Sequence, residues 1–276
     1  MRLNIFPIVS LSTIIAATTL AGIALAQAET VRIGGTGGAL GGMRLLGASF
    51  MKEHPATQIE VLPSLGSSGG IKALLAGAVD IAVSSRALKD EERTAGATSR
   101  LYARTPLAVV TSPDAPIAEI TPGELAAIYA GETTRWPDGT IIRLVLRPAS
   151  ETDIQLLRQL SPGMERAVDV AFGRPGLVSA TNDQDNAEAL ERLPGAIGLI
   201  AIGQIATEGR RLKVLSLDGV MPTAVLAAQA DYDFVKDLHL VTKSDTTTPA
   251  MAFVAFVNSA EGQNILANTG HSPMAE

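Results

Sequence analysis

Apolar and polar positions along this chain come in blocks that switch between short extended runs and helical spacing. Val31-Arg32-Ile33-Gly34-Gly35 has the pattern of a buried strand, GTGGALGG follows as a loop, and Met43 to Glu53 sets Leu45, Leu46 and Phe50 at helical intervals. The same order returns at once. Ile59-Glu60-Val61-Leu62-Pro63 reads as strand, Ser64-Leu65-Gly66-Ser67-Ser68-Gly69-Gly70 as loop and Ile71 to Ala78 as helix, before a third strand from Asp80 to Ser85. Strands alternating with helices predict an α/β fold with a mostly parallel sheet, whose connecting loops gather at the strands' carboxyl ends.

Tyr102 to Ser112 is a longer extended run, followed by Pro113 and Pro116 and then by a helix start at Thr121-Pro122-Gly123-Glu124. There Thr121 suits the N-cap and Pro122 the first turn. Further on, Ile141 to Leu146 and Ala196 to Ile202 read as strands, and helical spacing runs from about Glu151 to Leu160 and from Asn186 to Arg192. Leu238 to Thr242 is extended again, ahead of helical stretches at Pro249 to Val257 and Ala260 to Asn268. Two extended crossings predict two lobes. One is built from residues 29–112 and 232–276, the other from 113–231, and no internal repeat or low-complexity linker interrupts them.

Residues 1–28 stand apart from this pattern. Arg2 precedes an apolar stretch that ends in Ala26-Gln27-Ala28, the small-x-small string of a cleavable export signal, so the mature chain is expected to begin near Glu29. The chain has no Cys, which leaves no thiol for a lipoprotein anchor and no disulfide framework. The reading is a free protein of a periplasm-like space.

Composition narrows the function. With 46% hydrophobic and 18% charged residues the chain can bury a core and is not a disordered tail. A formal net charge of −6 without any Lys/Arg run argues against a nucleic-acid partner, so any anion must be held locally. Loops that end strands and open helices offer unpaired N–H groups at the positive end of a helix dipole, which suits an oxyanion. Glycine lets such an anion approach the backbone, and Thr36 in the first loop and Ser67-Ser68 in the second add hydroxyl donors. Turn and cap roles are the structural alternative for each.

Other chemistries fit less well. Gly35-x-Gly37-x-x-x-Gly41 resembles a dinucleotide loop, but Pro63-Ser64 stand where an acidic residue would hold the ribose, and no cofactor is expected. Gly66-x-Ser68-x-Gly70 fits the string of a hydrolase nucleophile elbow, with His239 or His271 as base; this secreted serine hydrolase is the enzyme alternative. His54, His239 and His271 have no metal-ligand spacing, and no metal site is expected.

The strings GGTGGALG, LPSLGSSGGIKALLAGAVDIAVSSRAL, ERLPGAIG and FVAFVNSAEGQNILANTG resemble the phosphate-type periplasmic solute-binding proteins of ABC importers, from about residue 31 to 273. The resemblance implies a two-lobed type II binding fold, each lobe a mostly parallel sheet flanked by helices, joined by two hinge crossings. It implies a non-enzymatic monomer that captures an inorganic oxyanion, phosphate first, for a membrane permease. A clamp that senses a ligand without a permease is a further alternative. The family's first anion loop falls on Thr36 and Gly37, its second on Ser67 with Ser68 and Gly69 adjacent, and its cation on Arg147, whose guanidinium can bind an oxyanion through two parallel hydrogen bonds.

Two departures stand out. Where the family usually has an Asp that accepts a phosphate proton, this chain has Ser85, followed by Arg86, and where a Ser-Gly-Thr run is usual it has Ser150-Glu151-Thr152-Asp153. Ser150 and Asp153 fit a capping-box start of a helix. Alternatively Glu151 or Asp153 replaces the missing acceptor, or the ligand is not phosphate. Asp183-Gln184-Asp185-Asn186 is read as a set of helix-cap residues at a start that faces the cleft.

Overall fold

A computed structural model describes residues 28–229 and 232–274; the predicted export signal, up to Gln27, lies outside the described residues. The chain opens with β1 (Glu29–Gly35), α1 (Gly37–Glu53), β2 (Thr57–Val61), α2 (Gly66–Leu75), β3 (Ile81–Ser84) and a short α3 (Asp90–Thr94). β4 (Ala97–Thr111) then leads to β5 (Glu119–Ile120), α4 (Pro122–Ala130), β6 (Arg143–Leu146), α5 (Thr152–Gln159), α6 (Pro162–Gly173), β7 (Val178–Ser179), α7 (Asp183–Arg192), β8 (Ala196–Ala201) and α8 (Ile202–Glu208). The remainder is β9 (Lys213–Val214), β10 (Ser216–Leu217), α9 (Ala224–Ala227), β11 (Val235–Lys243), α10 (Thr248–Val257), α11 (Ala260–Ala267) and β12 (Ser272–Pro273).

The main sheet runs β2-β1-β3-β11-β4-β8-β6-β7. Its two ends, β2-β1-β3 and β8-β6-β7, are parallel, as strand-helix alternation requires, whereas β11 and β4 run antiparallel to their neighbours. These two long strands join the ends. β4 pairs with β11 up to Pro106 and with β8 from Leu107 on, so one strand serves two cores. Tyr102, Ala103 and Leu238 pack with Ile33, Leu40, Phe50 and Phe253 on one side, while Leu107, Val109 and Phe234 pack with Leu125, Leu157, Val168 and Ile197 on the other. The first core is closed by α1, α10 and α11, the second by α4, α5 and α6.

The first two units depart from the sequence reading at their loops. GTGGALGG is not a loop, because α1 already begins at Gly37, and GSSGG forms the opening turn of α2. Glycine disfavours a helix locally, but here close packing overrides propensity. A Cβ on Gly41 would strike Thr207 of α8, and one on Gly47 would stand 2.8 Å from Ile59 of β2. α2 lies so close to β1 that a Cβ on Gly70 would come within 2.5 Å of the Gly35 Cα. Gly70→Ala therefore meets backbone that cannot yield, and is expected to cost about 1–3 kcal/mol in chemical denaturation. Gly173→Ala at the end of α6, where nothing lies within 4 Å, is the control, expected to stay within about 0.5 kcal/mol. Equal effects at the two positions would refute the packing argument.

Candidate ligand-binding site

The site is assembled from helix starts. α4, α6, α7 and α11 are capped by the side chains of Thr121, Ser161, Asn182 and Ser259, each accepting from an N–H of the first turn. α1 and α2 are not. Thr36 at the start of α1 and Leu65 at the start of α2 make no side-chain cap bond, and neither helix has an acidic residue in its first turn. Their N–H groups and positive dipole ends are left for another acceptor. Thr36 is buried, its N–H donating to the Val83 carbonyl oxygen, and Leu65 N–H donates to Gly35 O, which ties both starts to the same strand ends.

Hydroxyls connect this face to the second lobe. Ser67 Oγ accepts from Ser85 N–H at 2.9 Å and lies 3.1 Å from Ser85 Oγ, which in turn lies 3.1 Å from Thr152 Oγ1 at the start of α5. Ser68 and Arg86 turn outward from this chain. Arg86 Nη2 donates to Ser68 Oγ at 3.0 Å and to Glu92 at 2.6 Å, and this pairing holds the Glu92 carboxyl below its usual range. Gly69 lies within the first turns of α2, against Leu65. A cavity of about 360 Å³ adjoins the Ser85–Thr152 contact, lined also by Arg86, Tyr232, Asp237 and His239. A wider hollow of about 590 Å³, between α1 and the edge strand β2, includes none of these residues.

Opposite the α1 start lies a cluster of buried charges. Arg147, the residue after β6, is 2% exposed; Nη1 donates to Ala180 O at 2.8 Å, Nη2 lies 3.3 Å from Glu151 and 3.6 Å from Asp183, and Nε has no partner. Lys236, at the start of β11, sits 2.5 Å from Asp153 and 3.8 Å from Asp183, with all three side chains almost fully enclosed. Burial pulls the Lys236 ammonium down, but the Asp153 and Asp183 carboxylates outweigh it and hold the ammonium above its ordinary value. For Glu151, burial wins: it raises the carboxyl above the usual range despite Arg147, and Asp183 and Asp153 push the same way.

Asp183 and Gln184 press directly on α1. A Cβ on Gly37 would meet Gln184 Oε1 at 2.5 Å and Asp183 Oδ2 at 2.8 Å, so only glycine allows the two helix starts to meet. Gln184 Nε2 donates to Gly37 O at 3.1 Å. Asp183 is thus more than a cap residue: Asn182 caps α7, and the Asp183 carboxylate is aimed into the cluster with Oδ2 lacking any donor. The capping-box expectation at Ser150 and Asp153 also needs correction. Glu151, not Ser150, occupies the N-cap of α5, and Asp153 serves Lys236.

The fold therefore brings together Thr36, Gly37, Ser67, Ser85, Arg147, Glu151, Thr152 and Asp153, and adds Lys236 and Asp183. Sequence reading passed over Lys236, a lone cation in an extended run, and took Asp183 for a cap. A buried lysine has to find carboxylates, and the uncommitted acids of α5 and α7 were the available signal.

The nucleophile-elbow arrangement is not formed. Ser68 Oγ accepts from Arg86, while His239 Nδ1 has no hydrogen-bond partner. His271 is buried against Gly42 and Gly203, and burial pulls its pKa down to about 4.

A family model described as a PBP superfamily domain matches residues 23–261. The phosphate-binding protein PstS of Bacillus subtilis is 27% identical over 237 residues, covering 82% of this chain and 75% of its own. An ABC-type phosphate transport receptor from Vibrio cholerae superposes with a TM-score of 0.61 at 25% identity, over 87% of this chain and 98% of that one. A Clostridium perfringens chain described as a phosphate ABC transporter substrate-binding protein, crystallised with bound phosphate, gives a TM-score of 0.75 at 23% identity, over 89% and 100% of the two chains.

Proposed function

This chain belongs to the PBP superfamily, and from that premise we propose that it is a solute-binding protein that captures an inorganic oxyanion, phosphate first, between its lobes for an ABC-type permease. It binds and releases its ligand without making or breaking a bond. One observation carries the reading: two adjacent helix starts without side-chain caps lie opposite a buried guanidinium whose Nε has no partner.

In this reading the Gly37 N–H, the Thr36 and Ser67 hydroxyls and the Arg147 fork hold the anion, with Ser85, Glu151, Thr152 and Asp153 around it. Contacts from both lobes exist only when they are closed, so the ligand stabilises closure about β4 and β11. An export signal at 1–28 places the protein outside the cytoplasm, where it acts as a monomer, and its lobes divide near Pro106–Leu107 of β4 and Phe234–Val235, somewhat inside the 112–113 and 231–232 boundaries expected from the sequence. No helix among the described residues is long and apolar enough to cross a membrane. The names of its relatives, phosphate-binding proteins and phosphate receptors, support phosphate over other anions.

Isothermal calorimetry against phosphate, sulfate, molybdate and a neutral sugar tests the ligand class. Phosphate is expected to give saturable one-to-one heat. Binding of the sugar in the absence of any anion signal would overturn the reading.

A further inference from the structure

Resting on the oxyanion reading, we infer that Glu151 binds the ligand as a neutral carboxylic acid, so that capture of the anion takes up a proton from solvent. The argument begins with a count of charges. Arg147 and Lys236 face three carboxylates, Glu151, Asp153 and Asp183, within one cluster. Asp153 is committed to Lys236 at 2.5 Å. Glu151 and Asp183 compete for the same atom, Arg147 Nη2, at 3.3 Å and 3.6 Å.

An anion that takes the outer face of this guanidinium removes what Glu151 has in the free protein and adds a second negative neighbour. Asp183 is enclosed beside both cations, and Asp153 holds the ammonium at close range, so each has a positive neighbour besides the contested guanidinium. Glu151 has only the contested guanidinium, and it is the one carboxyl of the three with substantial access to solvent, at 26% exposure, through which a proton can arrive. Every charged group facing it has been named: Arg147 at the end of β6, Asp153 on α5, Asp183 on α7 and Lys236 on β11. From the other lobe the neighbour is Gly66, which is uncharged. Burial and the two aspartates already raise the Glu151 carboxyl in the free protein.

Protonation also supplies the chemistry that the position needs. A charged carboxylate can only accept hydrogen bonds and repels an oxyanion, whereas a protonated one donates an O–H as a serine hydroxyl would. Glu151 is thereby a ligand-contacting residue that sets the pH range of binding. The sign follows from linkage: if the bound state holds the proton more tightly than the free state, affinity rises as pH falls. The gain approaches tenfold per pH unit, for one proton, between the carboxyl's free and bound pKa values.

The test is calorimetric titration of inorganic phosphate from pH 5 to pH 8.5, in buffers of different ionisation enthalpy, for the parent and for Glu151→Gln. Glutamine keeps a hydrogen-bond donor and cannot titrate. Phosphate's own protonation is common to both proteins and cancels in the comparison. The parent is expected to take up more protons per phosphate than the variant, and the ratio of parent to variant Kd is expected to rise at least about tenfold between pH 5 and pH 8.5. Equal proton stoichiometry and a flat ratio would overturn the inference while leaving phosphate binding intact. Absence of phosphate heat in both proteins at every pH would instead overturn the oxyanion reading. If Glu151→Gln fails to fold, the buffer dependence of the parent still decides: it must exceed the uptake that phosphate's own titration supplies, and if it does not, the inference fails.

Discussion

Arg147→Ala is expected to lower phosphate affinity by at least about 100-fold, because two charge-assisted hydrogen bonds of about 1.5–3 kcal/mol each disappear from a site with little water to replace them. The parent side chain is 2% exposed and already oriented by the Ala180 carbonyl, so little ordering remains to be done on binding. Arg147→Lys separates charge from geometry. It retains the positive charge but loses the fork, and should fall between parent and Ala variant. Calorimetry with phosphate measures both, and thermal melting confirms that each variant is folded. An Ala variant within threefold of the parent would remove Arg147 from the site.

Lys236→Met is expected to act mainly on stability. It leaves Asp153 buried and facing a thioether instead of an ammonium 2.5 Å away, with Asp183 also short of a positive neighbour. Breaking one side of a buried pair costs about 3–5 kcal/mol, or about 6–20 °C in Tm for a chain of this size. The double change Lys236→Met with Asp153→Leu removes both charges and should recover most of that loss, since a well-packed apolar pair avoids the desolvation cost altogether. Urea denaturation of the single and double variants completes the cycle. A single variant that loses less than about 1 kcal/mol would mean that water reaches this pair.

The parts of the fold legible in the sequence are those governed by neighbours along the chain. β8 is an uninterrupted apolar run, β3 an apolar run that ends in Ser84 and β1 an alternation that buries Val31 and Ile33, and all three form where those patterns lie. α4 begins where Thr121-Pro122 and Glu124 announce it, with Thr121 Oγ1 accepting from Glu124 N–H while the Glu124 carboxylate accepts from Thr121 N–H. The same local signal at Ser161-Pro162 opens α6, a helix that the sequence reading did not anticipate. α1 was legible only from its seventh residue onward, because six residues of the GTGGALGG stretch, four of them glycine, argue locally against a helix and only the contacts with α7, α8 and β2 make it favourable.

The candidate site divides along the same line. Hydroxyls and glycines at two strand-to-helix joints, an Arg at the end of a strand and acids at the next helix start are all written in the order of residues. Tertiary structure alone decided which charges pair. Asp153, Asp183 and Lys236 are far apart in the chain, and the strength of a buried ion pair depends on ångström-scale separation and on exclusion of water. No spacing along a sequence encodes either quantity, so Lys236 emerges as a member of the site only once β11 is packed against α5 and α7.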